Sequence, residues 1–144
     1  MRKIDYIKYF RIPFKEKGRD FNGVDCYGLV FLFLKEEFGI VMPDYLELDY
    51  KIGTLGKDGK KYIERYEKDK PILSIYNKVD PPPKPFDILV FKNVAGIATH
   101  IAIYIGNNKI LHTIRNRNPS ITEYNNFWKN RLYGIFRIKE LERE

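Results

Sequence analysis

Cysteine and histidine are the scarcest chemical groups in this chain of 144 residues, which holds one Cys, Cys26, and two His, His100 and His112. A single cysteine excludes an intramolecular disulfide framework. One cysteine with two histidines also excludes a Cys-rich, four-ligand structural zinc site. Long hydrophobic runs are missing too. The longest, Tyr27 to Leu34, is eight residues with one Gly inside it, against the ~20 that a membrane-spanning helix needs. Charges interrupt Met1 to Phe10 every few positions, so no signal peptide is expected there.

What is present is a core-forming composition. Hydrophobic residues make up 44% and charged residues 31%, which suits a packed domain and argues against disorder. The length fits a single domain over residues 1–144. The net charge is +7, unevenly placed: residues 1–20 carry seven basic and three acidic side chains, residues 21–50 one basic and six acidic. A nucleic-acid binder usually gathers its charge on one stripe. The spread here argues against nucleic acid as a partner and is compatible with an anionic polymer such as a bacterial cell wall.

Along the chain, Asp5 to Arg11 predicts a short first helix, stopped by Pro13. Gly18 to Gly23 reads as a loop. Asp25 is a candidate cap for a helix from Cys26 to Phe38, apolar nearly all round and therefore buried. Gly39 sits where a glycine would end it. Within residues 40–85, Lys57 to Lys60 marks a turn and Tyr62 to Asp69 suits a short charged helix. Pro81 to Pro85 is a stiff connector. Strands are then expected at Asp87–Phe91, Ile101–Ile105, Ile110–Ile114 and Tyr133–Ile138, with a hairpin at Gly106-Asn107-Asn108. Helices first and antiparallel strands after give an α+β class.

Cys26 in the first turn of a helix would feel the positive end of the dipole, which favours thiolate. The alternative is a small buried hydrophobe. His100 shares a strand face with Ala102 and Tyr104. A three-residue loop, 106–108, would pair Ala102 with His112 and place both histidines on one face as diagonal neighbours. Either two-residue loop would put them on opposite faces. On one face they complete a set in which a thiol nucleophile, a base and an orienting group could act in series.

The stretches Gly23-Val24-Asp25-Cys26-Tyr27-Gly28-Leu29-Val30, Pro85 to Phe91, Thr99 to Gly106 and Lys109 to Thr113 resemble the nucleophile motif, first core strand and histidine hairpin of the NlpC/P60 cysteine peptidases. The likeness is good at the cysteine helix and the hairpin and slight in the middle. It implies a papain-like fold, a cysteine helix packed on an antiparallel sheet, with residues 40–85 a variable insertion. It implies Cys26, His100 and His112 as catalytic residues, Asp25 and Tyr27 as substrate-binding ones, and no metal or cofactor. The implied activity is hydrolysis of stem peptides in peptidoglycan. Gly18 to Val30, Glu36 to Ile40 and Trp128 to Arg137 further resemble the tail-assembly peptidases of phages and prophages. That implies tail proteins as partners and a product made in the cytoplasm and built into a virion. A structural tail protein with an idle site, or a thiol-dependent amidase or acyltransferase, are the competing readings. Two positions depart from the family pattern: Tyr27 stands where Ser is common, and Phe14 where a hydroxyl-donating Tyr is common.

Overall fold

The computed structural model describes residues 3–46, 76–94, 96, 98–139 and 141. The expected turn at Lys57 to Lys60 and helix at Tyr62 to Asp69 lie outside them.

The N-terminal part is helical. Helix α1 spans Ile7–Phe10, shorter than expected, and the Asp5 carboxylate accepts the Ile7 N–H. The stretch read as a loop contains two short strands, β1 (Arg19–Asp20) and β2 (Gly23–Val24), paired antiparallel. Helix α2 runs Cys26–Phe38, with the bounds its sequence predicts. Its N-cap Asp25 accepts the Gly28 N–H, and Gly39 ends it at φ 67, a left-handed conformation that glycine adopts without penalty. Nine consecutive residues, Cys26 to Leu34, are buried. A helix is apolar all round when both sides are covered. Here one side meets the main sheet and another meets the N-terminal segment, where Tyr6 and Tyr9 pack on Phe33.

The main sheet has six strands: β3 (Tyr76–Val79), β4 (Ile88–Lys92), β5 (Ala98–Gly106), β6 (Lys109–His112), β7 (Ser120–Glu123) and β8 (Leu132–Ile138). A short helix, α3 (Asn126–Lys129), precedes the last. The spatial order is β3-β8-β4-β5-β6-β7, antiparallel throughout. The chain is thus α+β, with its cysteine helix against an antiparallel sheet. The larger core lies between α2 and the sheet and includes Leu29, Phe33, Ile101 and Ile103. A smaller cluster of Leu89, Phe91, Ala102, Ile110, Tyr124 and Ile135 gathers Trp128 and Tyr104.

The β5–β6 hairpin corrects one expectation. Its turn has two residues, Asn107 and Asn108, between Gly106 and Lys109, both at positive φ (52 and 60). Yet Ile103 still faces Leu111 and Tyr104 faces Ile110, the register a three-residue loop would give. The register shifts between Tyr104 and Gly106. A β-bulge there adds one residue to one strand only, which restores the face that a tight turn alone would lose.

The approach of α2 to β1 is close. A Cβ built on Gly28 would stand 1.8 Å from the Gly18 carbonyl oxygen. That neighbour is backbone and cannot swing aside. Gly28→Ala should therefore destabilise the fold by about 3 kcal/mol or more, lowering the melting temperature by ~10 °C in a thermal scan followed by circular dichroism.

Candidate active site

Cys26 opens α2 and is 1% exposed. Backbone N–H groups of Ile101 and Tyr27 donate to its sulfur. The first of these contacts sets the thiol beside β5, at the residue following His100. The helix dipole alone predicts a depressed thiol pKa, and the structure reverses that. Burial, followed by the Asp25 charge, pushes the thiol well above its ordinary range. The two N–H donors and the Arg19 charge oppose the rise without cancelling it.

His100 and His112 lie on one face, in contact. His100 Nε2 and His112 Nδ1 are 2.8 Å apart. On its far side His112 Nε2 is 2.9 Å from Thr122 Oγ1. Trp128 covers both rings, stacked near His100 with centroids 5.3 Å apart and edge-on to His112 at 5.1 Å. Phe91 stacks near His100 from β4. This aromatic wall strips water from the imidazoles, of which His112 is buried and His100 half-buried. Burial, then the charge of His112, pushes His100 down to about 3; burial pushes His112 down to about 4. Near neutral pH both are uncharged.

Two neutral imidazoles joined nitrogen to nitrogen share one proton. If His100 Nε2–H donates, its Nδ1 lone pair is left to accept a proton, and His112 must carry its own proton on Nε2. Thr122 Oγ1 is placed to accept that proton's hydrogen bond. The geometry thus offers a line of groups, His100, His112 and Thr122, each fixing the tautomer of the one before.

Asp25 and Tyr27 are placed elsewhere. Both are fully buried. Asp25 accepts from the Gly28 and Lys17 N–H groups and from Arg19 at 3.0 Å. Tyr27 donates its hydroxyl to the Pro43 carbonyl at 2.6 Å and packs on Tyr45. Arg19 binds the two regions together: its Nε donates to the Asp44 carbonyl, and its guanidinium lies 5.1 Å from the centre of the Tyr27 ring. With their polar atoms turned inward, Asp25 and Tyr27 hold the start of α2 in place. Phe14 bridges to Val24 on the same side of the core and has no hydroxyl to offer.

Thr122, Trp128 and Arg19 are site neighbours to which the sequence assigns no role, although Arg19 and Trp128 fall within the stretches that carry the family resemblance. Trp128 carried a further signal, being the chain's one tryptophan. A cleft of about 240 Å³ opens beside His100, walled by Phe91, Phe127 and Trp128.

Comparison with known proteins agrees with this architecture. The NlpC/P60 family profile matches residues 11–137. The chain is 24% identical over 130 residues to tail tip assembly protein K of Escherichia phage N15, covering 90% of this chain and 51% of that one. It is 25% identical over 128 residues to the probable endopeptidase NlpC of Escherichia coli strain K12, covering 88% of this chain and 69% of that one. The chain therefore spans about half the length of its phage relative. A crystal structure of an NlpC/P60 family protein from Bacillus cereus ATCC 10987 shares the fold, with a TM-score of 0.60 at 21% identity over 88% of this chain and 35% of the other. The chain belongs to the NlpC/P60 family, whose members are generally cell-wall peptidases.

Proposed function

We propose that this protein is a cysteine peptidase that hydrolyses peptide bonds in peptidoglycan stem peptides, as a single catalytic domain acting within a phage or prophage tail. The observation that carries the reading is the linked set at one end of β5: a buried thiol held by the Ile101 N–H, next in sequence to a histidine whose Nε2 is bonded to a second histidine. The likeness to tail tip assembly protein K supports the setting, and the likeness to the endopeptidase NlpC supports the chemistry.

In this mechanism the Cys26 proton passes to His100 Nδ1 as the sulfur attacks the scissile carbonyl. His100 then gives the proton to the leaving amine, the C–N bond breaks, and a thioester remains on Cys26. Water, deprotonated by His100, attacks the thioester and releases the acid and the free thiol. His112 and Thr122 touch neither substrate nor the reacting atoms; they are positioning residues that hold His100 in the tautomer with its Nδ1 open. Asp25, Tyr27 and Arg19 serve by fixing the first turn of α2.

Thr122→Val should lower kcat by about tenfold with little change in KM, because it removes the partner of a mostly buried N–H. Thr122→Ser should restore most of the rate. Steady-state kinetics on both variants checks this.

The rival reading, a tail protein with an idle site, rests on Phe14, which removes a side-chain donor from the reacting carbonyl's surroundings. The two part on turnover. Purified peptidoglycan of several wall types, incubated with the folded protein, should yield new amino termini by mass spectrometry. No release from any wall type would overturn the peptidase reading.

A further inference from the structure

The cleft beside His100 carries a charge pattern that the proposed hydrolysis does not require. Lys92, Arg115 and Arg131 line it, with no Asp or Glu among the lining residues. The three cations come from separate segments: the end of β4, the turn that follows β6, and the residues after α3. Their convergence is built into the backbone. The Lys92 N–H donates to the Arg131 carbonyl at 2.7 Å, and the Arg117 N–H closes the turn holding Arg115 onto Ile114 at 3.0 Å. The Arg131 guanidinium sits 3.9 Å from the centre of the Phe127 ring and gives one N–H to the Phe127 carbonyl at 2.9 Å. Stacking fixes the plane of the guanidinium and leaves a fork of donors suited to a carboxylate. Arg115 is the weakest of the three, since Glu16 stands 3.9 Å from it.

Position gives the cleft its meaning. It is lined by His100 and Trp128 and not by Cys26. In the proposed mechanism the acyl half of the substrate stays on Cys26, and the amine half departs past the histidine that protonates it. From this we infer that the cleft is the seat of the leaving half of the substrate, and that Arg131 and Lys92 select leaving halves that carry a free carboxylate. The inference rests on the peptidase reading for its direction, while the binding it describes is open to separate measurement. Phe127 and Trp128 give the cleft an apolar wall beside the cations, so a ligand is held by ring contact as well as by charge.

The chain's single tryptophan lies in this cleft, so its emission reports occupancy directly. The dipeptide Ala-D-Ala, as free acid and as C-terminal amide, provides a matched pair of probes. Titrated into the wild-type protein with excitation where tyrosine is silent, the acid should bind about tenfold more tightly than the amide, the size expected for one charge-assisted contact. In the Lys92→Gln, Arg131→Gln double variant the two should bind alike. If that variant melts early, Lys92→Gln alone should narrow the gap about threefold. Inorganic phosphate should displace the acid about tenfold less well than the acid itself. Equal binding of acid and amide, a gap that survives the substitutions, absence of any saturable signal, or phosphate competing as well as the peptide would each overturn the assignment. Loss of peptide release from cell wall with this discrimination intact would remove the peptidase reading alone. Release without discrimination would remove the cleft's role alone.

Discussion

Cys26→Ala should abolish peptide release, with a fall in kcat/KM of about 10⁴-fold or more, while leaving the fold intact. The size follows from chemistry that has no substitute. The chain holds no second cysteine, and the nearby backbone N–H groups that hold the sulfur can only donate. Stability should change little, because the side chain is small and its loss removes one sulfur from a site that is already dry. Cys26→Ser should be nearly as inactive: a hydroxyl holds its proton far more tightly than a thiol and is a far weaker nucleophile. Kinetics on a soluble stem peptide, with a thermal melt of each variant, separates lost chemistry from lost folding.

Acid should both stop the reaction and unfold the protein. The folded chain resists protonation of His100 until about pH 3 and of His112 until about pH 4, whereas an unfolded histidine takes its proton near 6.5. Between those limits the unfolded state binds more protons. Stability is therefore full above about pH 6.5 and falls as the pH drops toward 4, with a slope of up to ~1.4 kcal/mol per pH unit for each histidine. Two such groups together amount to several kcal/mol, a large share of the ~5–15 kcal/mol that holds a domain of ordinary size. Urea unfolding at pH 7, 6, 5 and 4 should show the midpoint falling steadily, and His112→Asn should flatten the trend. An unchanged midpoint across that range would contradict the dry environment assigned to the pair. The raised thiol acts on reactivity in the same direction. Iodoacetamide should label Cys26 more slowly than a free cysteine at neutral pH, because the thiolate is scarce and the sulfur is covered.

The elements that were legible in the sequence are those with local signatures. α2 shows both of its boundaries, since Asp25 and Gly39 are capping residues by side chain and by backbone. β4, β5, β6 and β8 announce themselves by dense branched apolar residues, and their ends move by only a few positions. β6 stops at His112, short of Ile114, because Thr113 bonds to the Arg117 carbonyl and the chain turns. What stayed hidden is either short or set by tertiary context. β7 is Ser-Ile-Thr-Glu at the sheet edge, with no strong alternation. α3 is a single turn, too brief for any period to show. β1 and β2 are two residues each and read as loop because turn formers surround them.

At the site the same division holds. The Cys26, His100 and His112 set stood out because the residue types are rare. Their relation depended on register, and register depended on a bulge at Ile105 that counting loop residues does not reveal. Thr122 became visible only once β7 was placed beside β6. The electrostatics went against the local signal: a helix N-terminus favours a thiolate, but burial is a property of the whole fold and outweighs it.

The central claim, that Cys26 carries the acyl group, is most directly tested by intact-protein mass spectrometry after rapid acid quench of the protein with a stem-peptide substrate. The wild type should show a transient added mass equal to the acyl half of the peptide, mapped to the fragment containing Cys26 and lost on treatment with hydroxylamine, as a thioester is. Cleavage that proceeds with the Cys26 fragment unmodified at every quench time, or with the adduct on another residue, would contradict it.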